Sequence, residues 1–113
     1  MSLCNGSQVL TSATGILHAS PPLSYGNNLL CSWHLTVAEG RKIGLSFQWF
    51  KTEPGCDFLE VQDLSTSQPM GESPYDGERQ IPLLVSWGNS VNVSFIPDFS
   101  VLDVGFQIFY YTV

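Results

Sequence analysis

The side chains able to do chemistry in this 113-residue chain are three cysteines, two histidines and ten acids. Cys4, Cys31 and Cys56 show no Cys-x-x-Cys spacing, so nothing indicates a zinc site. Cys4 precedes the first apolar run, and Cys31 opens a run whose alternation turns it inward. A bridge between them would close a loop of about 28 residues and stabilise the fold by roughly 3–4 kcal/mol through loop entropy. Two buried thiols are the alternative. Cys56, in Glu53-Pro54-Gly55-Cys56-Asp57, is the odd one. It is either a free thiol or half of a bridge to another chain or domain, and a bridge between chains would make a covalent dimer. As a nucleophile it would need a neighbouring base, and the sequence shows none. His34 alternates outward between Trp33 and Leu35. Neither it nor His18 stands in a Ser-His-Asp order or a metal-hydrolase motif. Paired carboxylates can hydrolyse glycosides, but a chain this short with no evident cleft is a poor host for that reaction. The residues point away from an enzyme.

Two sequons, Asn5-Gly6-Ser7 and Asn92-Val93-Ser94, offer N-glycosylation at Asn5 and Asn92. Asn92 is on the face opposite Val91 and Val93, so a glycan there points outward. Sequons and cysteines together favour an oxidising, extracellular setting. Trp87, in Ser86-Trp87-Gly88-Asn89, is either an exposed anchor for a partner or a cap over one end of the fold.

The elements that must position these residues are strands. Cys31, Trp33, Leu35 and Val37 alternate with polar residues. So do Ile43, Leu45, Phe47 and Trp49; Leu59 and Val61; Val91, Val93 and Phe95; and Phe106, Ile108 and Tyr110. Period-two alternation sets one face of a strand on a core, so Trp33 and Trp49 are expected inside. Turn material separates the runs at Ser20-Pro21-Pro22, Gly26-Asn27-Asn28, Glu39-Gly40, Pro54-Gly55 and Pro97-Asp98. No helical stripe is present. The pattern implies an all-β antiparallel sandwich of two packed sheets. Leu64 to Gln80, rich in Ser, Pro, Gly and acid, reads as a long surface loop with an irregular strand inside it. Residues 1–3 read as an expression leftover on a piece of something larger, and 4–113 as a single domain.

Charged residues are only 12% of the chain, about half the usual share of roughly 25%. The surface must therefore be neutral and polar, as in secreted β proteins. The net charge of −6 disfavours nucleic acid and anionic membrane surfaces as partners. No apolar run is long enough for direct membrane insertion.

In their order and spacing the motifs resemble the CUB domain, the extracellular sandwich module of complement and tolloid proteases, cubilin and spermadhesins. The resemblance covers nearly the whole chain. It rests on Cys4, Gly15-Ile16-Leu17, Tyr25-Gly26-Asn27-Asn28-Leu29-Leu30-Cys31-Ser32-Trp33, Ile43 to Phe50, and Cys56-Asp57-Phe58-Leu59-Glu60-Val61. It closes with Gly88 to Phe95, Asp98-Phe99-Ser100 and Gly105-Phe106. The resemblance implies a jelly-roll-like sandwich and a Cys4–Cys31 bridge. The fourth cysteine usual in the family is missing from Gly71 to Gly77, so Cys56 has no partner within the chain and the 64–80 loop is expected to be loose.

The resemblance also implies a calcium site whose carboxylates fall on Glu53, Asp57 and Asp98. Ca²⁺ takes six to eight hard oxygens, so loop acids, water and carbonyls near Ser100 and Val101 suit it. The Glu53–Asp57 stretch is short, and Leu23 replaces a supporting Tyr; three solvated loop acids are the alternative. In relatives such acids hold a partner's Lys or Arg. The implied function is an extracellular, non-enzymatic protein-recognition module of a larger secreted or membrane-anchored protein. Its partner surface would be Glu53, Asp57, Asp98 and Trp87, and its partner a protein presenting Lys or Arg. The alternative is a carbohydrate- or small-ligand-binding, spermadhesin-like module that needs no calcium.

Overall fold

The computed structural model describes residues 2–3, 6–19, 31–52, 54–55, 57–96 and 105–113. Its strands are β1 (Ser2–Leu3), β2 (Ser7–Leu10), β3 (Thr14–Ala19), β4 (Cys31–Thr36), β5 (Ile43–Lys51), β6 (Phe58–Asp63), β7 (Gln68–Pro69), β8 (Leu84–Val85), β9 (Ser90–Ile96) and β10 (Gly105–Thr112). They form two five-stranded sheets. Sheet A runs β1-β3-β10-β5-β8 and sheet B runs β2-β4-β9-β6-β7. No helix occurs among the described residues. The sandwich read from the sequence is therefore present. It departs from pure antiparallel pairing at one edge of each sheet, where β1 pairs with β3 and β2 with β4 in parallel.

Alternation explains the core. Cys31, Trp33, Leu35, Leu59, Val61, Val91, Val93 and Phe95 of sheet B face Leu17, Ile43, Leu45, Phe106, Ile108 and Tyr110 of sheet A, all 1% exposed or less. Trp33 and Phe95 both meet Phe106 edge-on, with centroids 5.8 and 5.3 Å apart. Such pairs add about 0.5–1.5 kcal/mol to the area they bury.

Trp49 is a correction. The register against β10 slips between Gln107 and Ile108: Gln107 faces Trp49, but Ile108 faces Phe47. Gln48 is the extra residue of a β-bulge, which reverses the facing of every residue after it. Phe50 thus goes inside at 3% exposure and Trp49 goes outside at 40%. The Trp49 ring lies over Gly105, where a Cβ would run into it and into the Ala19 carbonyl oxygen.

The 64–80 segment is the expected surface loop with a short strand, β7, inside it, but it is anchored at two points that its composition did not suggest. Met70 and Tyr75 are buried in the core. Leu59 and Tyr75 exchange backbone hydrogen bonds of 2.9 Å, the Ser73 hydroxyl accepts from Val61 N–H at 2.8 Å, and the Tyr75 hydroxyl accepts from Glu72 N–H at 2.9 Å. These contacts hold the segment without the missing cysteine.

Candidate functional site

Four strand ends meet at one end of the sandwich. β5 ends at Lys51, opposite Gly105 at the start of β10. β6 begins at Phe58, opposite Ile96 at the end of β9. The links from Lys51 to Phe58 and from Ile96 to Gly105 therefore leave from the same end, and Glu53, Asp57 and Asp98 belong to these links. Glu53 and Asp98 lie outside the described residues, as do Ser100 and Val101. Asp57 is described and is fully buried at 0% exposure. It is not the solvated acid of the alternative reading. Among the described residues no group of three or more His, Cys, Asp or Glu could hold a metal ion.

The loop leading to Asp57 is strapped in place. Thr52, 3% exposed, donates its hydroxyl to the Asp57 carbonyl at 2.9 Å and accepts from Gly77 N–H at 2.9 Å. Thr52 N–H donates to the Gly77 carbonyl at 2.9 Å. Gly55, at φ 75°, takes the left-handed turn that only glycine adopts without strain. Its N–H donates to the Asp76 carboxylate at 2.8 Å. Asp76 is an acid of this end that the sequence reading did not single out.

Trp87 is elsewhere. It follows β8, which pairs with the start of β5, while Asp57 lies in the link beyond the other end of that strand. The nine residues of β5 separate them by roughly 26 Å at about 3.3 Å per residue. The structure does not bring Trp87 together with the acidic links. Trp87 does not cap the fold either, being 74% exposed. Lys42 Nζ sits over its ring at 5.6 Å.

The turn carrying Trp87 is built on a carboxylate. Asp63, 1% exposed at the end of β6, accepts from Ser65 N–H at 2.8 Å, Ser65 hydroxyl at 2.6 Å and Trp87 N–H at 2.5 Å. Burial pushes its pKa up; the hydrogen bonds from Ser65, Trp87 and Gly88 outweigh burial and hold it below its ordinary value of 3.8. Ser86, also buried, donates N–H to the Ile43 carbonyl at 2.9 Å. Its hydroxyl accepts from Ile43 N–H at 2.8 Å and donates to the Gly88 carbonyl at 2.6 Å. Sequence reasoning missed Asp63; the available signal was Asp63-Leu64-Ser65, the spacing of an Asx turn.

The remaining sequence-derived sites are dispersed. Asn92 is half-buried in the middle of the outer face of sheet B, its amide donating to Ser94 Oγ at 2.9 Å. His34 is exposed on the same face. Cys31 is fully buried, whereas Cys4, Asn5 and Cys56 lie outside the described residues.

A model of the CUB domain matches residues 4–110. Cubilin of Rattus norvegicus is 34% identical over 108 residues, which cover 91% of this chain and 3% of cubilin. Among solved structures, the full extracellular region of zebrafish Gpr126/Adgrg6 superposes with a TM-score of 0.79 at 28% identity, covering 100% of this chain and 15% of that one. The MASP-1 CUB2 domain bound to Ca²⁺ superposes with a TM-score of 0.75 at 23% identity, covering 92% and 96%. Similarity at that last level speaks for the fold alone.

Proposed function

The chain belongs to the CUB domain family, non-catalytic interaction modules of extracellular proteins, and from that premise we propose that it recognises a protein partner through an acidic, calcium-stabilised end. The observation that carries this is the complete burial of Asp57 where β5, β6, β9 and β10 converge. A carboxylate withdrawn from water is stabilised by cations and donors. The donor types suit a hard cation: Glu53, Asp57 and Asp98 offer carboxylates, and their links offer carbonyls. The MASP-1 CUB2 domain, solved bound to Ca²⁺, points the same way. Bound there, the ion would neutralise acids that repel one another and tie the two links together. The ordered carboxylates would then receive a Lys or Arg of the partner in a charge-assisted contact.

Three further assignments belong to this reading. Cys4 bridges Cys31. In its support, Cys31 is disulfide-bonded, and Gly6, two residues after Cys4, accepts through its carbonyl from Ser32 N–H at 3.0 Å, beside Cys31. Cys56 is then a thiol without an internal partner, open to a bridge with another chain, and the setting is extracellular.

The test is a calorimetric calcium titration of the chelator-stripped domain beside Asp57→Asn and Asp98→Ala, with thermal melts showing that both variants fold. Saturable heat lost in both variants is expected. Absence of heat at millimolar calcium, or heat unchanged in Asp98→Ala, would sink the acidic-end reading.

A further inference from the structure

Among the described residues, the edge of sheet A at β8 is unpaired. Ser86 N–H donates to Ile43, and Leu84 and Val85 pair with Leu45 and Gly44. In an antiparallel ladder alternate residues bond the neighbouring strand. Leu84 therefore turns its N–H and C=O toward β5, and Leu83 and Val85 turn theirs to the open side. An edge of this kind is a template for another strand. It is also apolar: Leu83, Val85 and Trp87, spaced two apart, are 53%, 45% and 74% exposed. A cavity of about 190 Å³ opens beside it, lined by Gln68, Pro69, Met70, Leu84 and Trp87 among others. Native edges are normally blunted by charge, proline or a covering loop, and between Leu83 and Trp87 the described residues supply none of these.

Two observations narrow the occupant. The first is rigidity. Asp63 and Ser86 fix the Trp87 turn with hydrogen bonds to the backbone of Trp87, Gly88 and Ile43, so the backbone that presents the exposed indole is set before anything binds, and Lys42 lies over the ring. Pre-ordered aromatic anchors of this kind carry interface affinity, because little entropy remains to be lost. The second is charge. The chain carries −6 overall with four basic residues, and two of these, Arg41 and Lys42, stand at the Trp87 end, Lys42 over the ring. Asp63, the acid that reaches this turn from β6, is buried and committed to its donors.

We propose that the β8 edge is a second docking site, independent of the acidic end, which takes an extended peptide segment of a partner protein by strand addition. The segment runs antiparallel to β8, exchanges backbone hydrogen bonds with Leu83 and Val85, sets an aliphatic side chain in the cavity, and places an acidic residue near its N-terminal end against Lys42. Backbone pairing supplies the general affinity, and the cavity and Lys42 supply the selection.

The test begins with a random-octapeptide phage library panned on the domain, with Val85→Pro as counter-bait. Proline is tolerated on an edge strand where the N–H faces out, so this variant folds but cannot donate. The expected clones alternate apolar residues and carry Asp or Glu near the N-terminal end. The best peptide, synthesised and titrated by NMR, moves the amide signals of Leu83, Val85 and Trp87. Its affinity falls at least tenfold in Trp87→Ala and severalfold in Lys42→Glu. Clones that bind Val85→Pro equally well, or shifts centred away from residues 81–88, overturn the proposal. So does a dimer of the free domain that Val85→Pro dissolves, because the occupant would then be a second copy.

Discussion

Asp63→Asn isolates the network beneath Trp87. The carboxylate divides its work: one oxygen accepts from Ser65 N–H and Oγ, and the other accepts from Trp87 N–H. Asparagine keeps the shape but has one acceptor oxygen. With that oxygen toward Ser65, its NH₂ meets the Trp87 N–H, donor against donor; flipped, it abandons two donors instead. The smaller loss is one charge-assisted hydrogen bond plus an orphaned buried N–H, together about 3 kcal/mol. For a domain of this size that lowers Tm by about 12 °C at pH 7. The pH dependence has a definite sign. The folded pKa of Asp63 lies below 3.8, so the unfolded chain binds the proton more tightly and stability contributed by the carboxylate is lost as pH falls. Thermal or urea melts of both proteins at pH 7, 5, 3 and 2 should show a full gap at pH 7 and 5, shrinking below about pH 4 as the wild type loses the ionised network. A gap under 1 kcal/mol at pH 7, or one that stays constant down to pH 2, would refute this account of Asp63.

Four further outcomes are expected. Gly105→Ala should cost about 2 kcal/mol in a denaturant melt, because its Cβ meets the Ala19 carbonyl oxygen as well as Trp49. Gly44→Ala should cost under about 1 kcal/mol, since only the swingable Tyr111 ring opposes it. Reduction should lower stability by about 3 kcal/mol, an effect that Cys4→Ser reproduces and to which reduction then adds nothing; a Cys4→Ser variant still sensitive to reductant would exclude the Cys4–Cys31 pairing. Expressed through a secretory pathway, the domain should carry a glycan on Asn92, and intact-mass measurement should show one glycan fewer in Asn92→Gln.

The sequence made the sandwich legible where alternation was clean. Trp33, Val91, Val93 and Phe95 read as core and are core. It failed where two aromatics are adjacent. In Gln48-Trp49-Phe50, period two permits either ring to face inward, and only the slip against Ile108 selects Phe50. It was silent on β8, because Leu83-Leu84-Val85 is apolar throughout and shows no period. It read residues 64–80 as a surface loop with a strand inside, which they are, but did not foresee their anchors, for a different reason. Tyr75 is one aromatic among turn formers, and the backbone exchange with Leu59 that buries it is a long-range contact. Of the candidate site, the types of the acids were readable, and the shared end of their strands was not. That Trp87 and the link carrying Asp57 stand at opposite ends of β5 was not readable either, because separation along a strand is invisible until strand order is known.

The separation has a physical consequence. Charges at the two ends of β5 are roughly 26 Å apart, about three Debye lengths at physiological salt. An ion or a cationic partner at the Asp57 end therefore exerts almost no direct field on Lys42 and Trp87. Coupling would have to pass through β5 itself, whose Ile43, Leu45 and Phe50 side chains are anchored in the core. A strand so fixed has no second arrangement for either end to select, and without two arrangements there is no coupling free energy. Occupants of the two ends should thus bind additively: calcium should leave affinity at the β8 edge unchanged within about 0.5 kcal/mol. Measured dependence of one end on the other would mean that β5, or the 64–80 segment packed along it through Tyr75, has an alternative state.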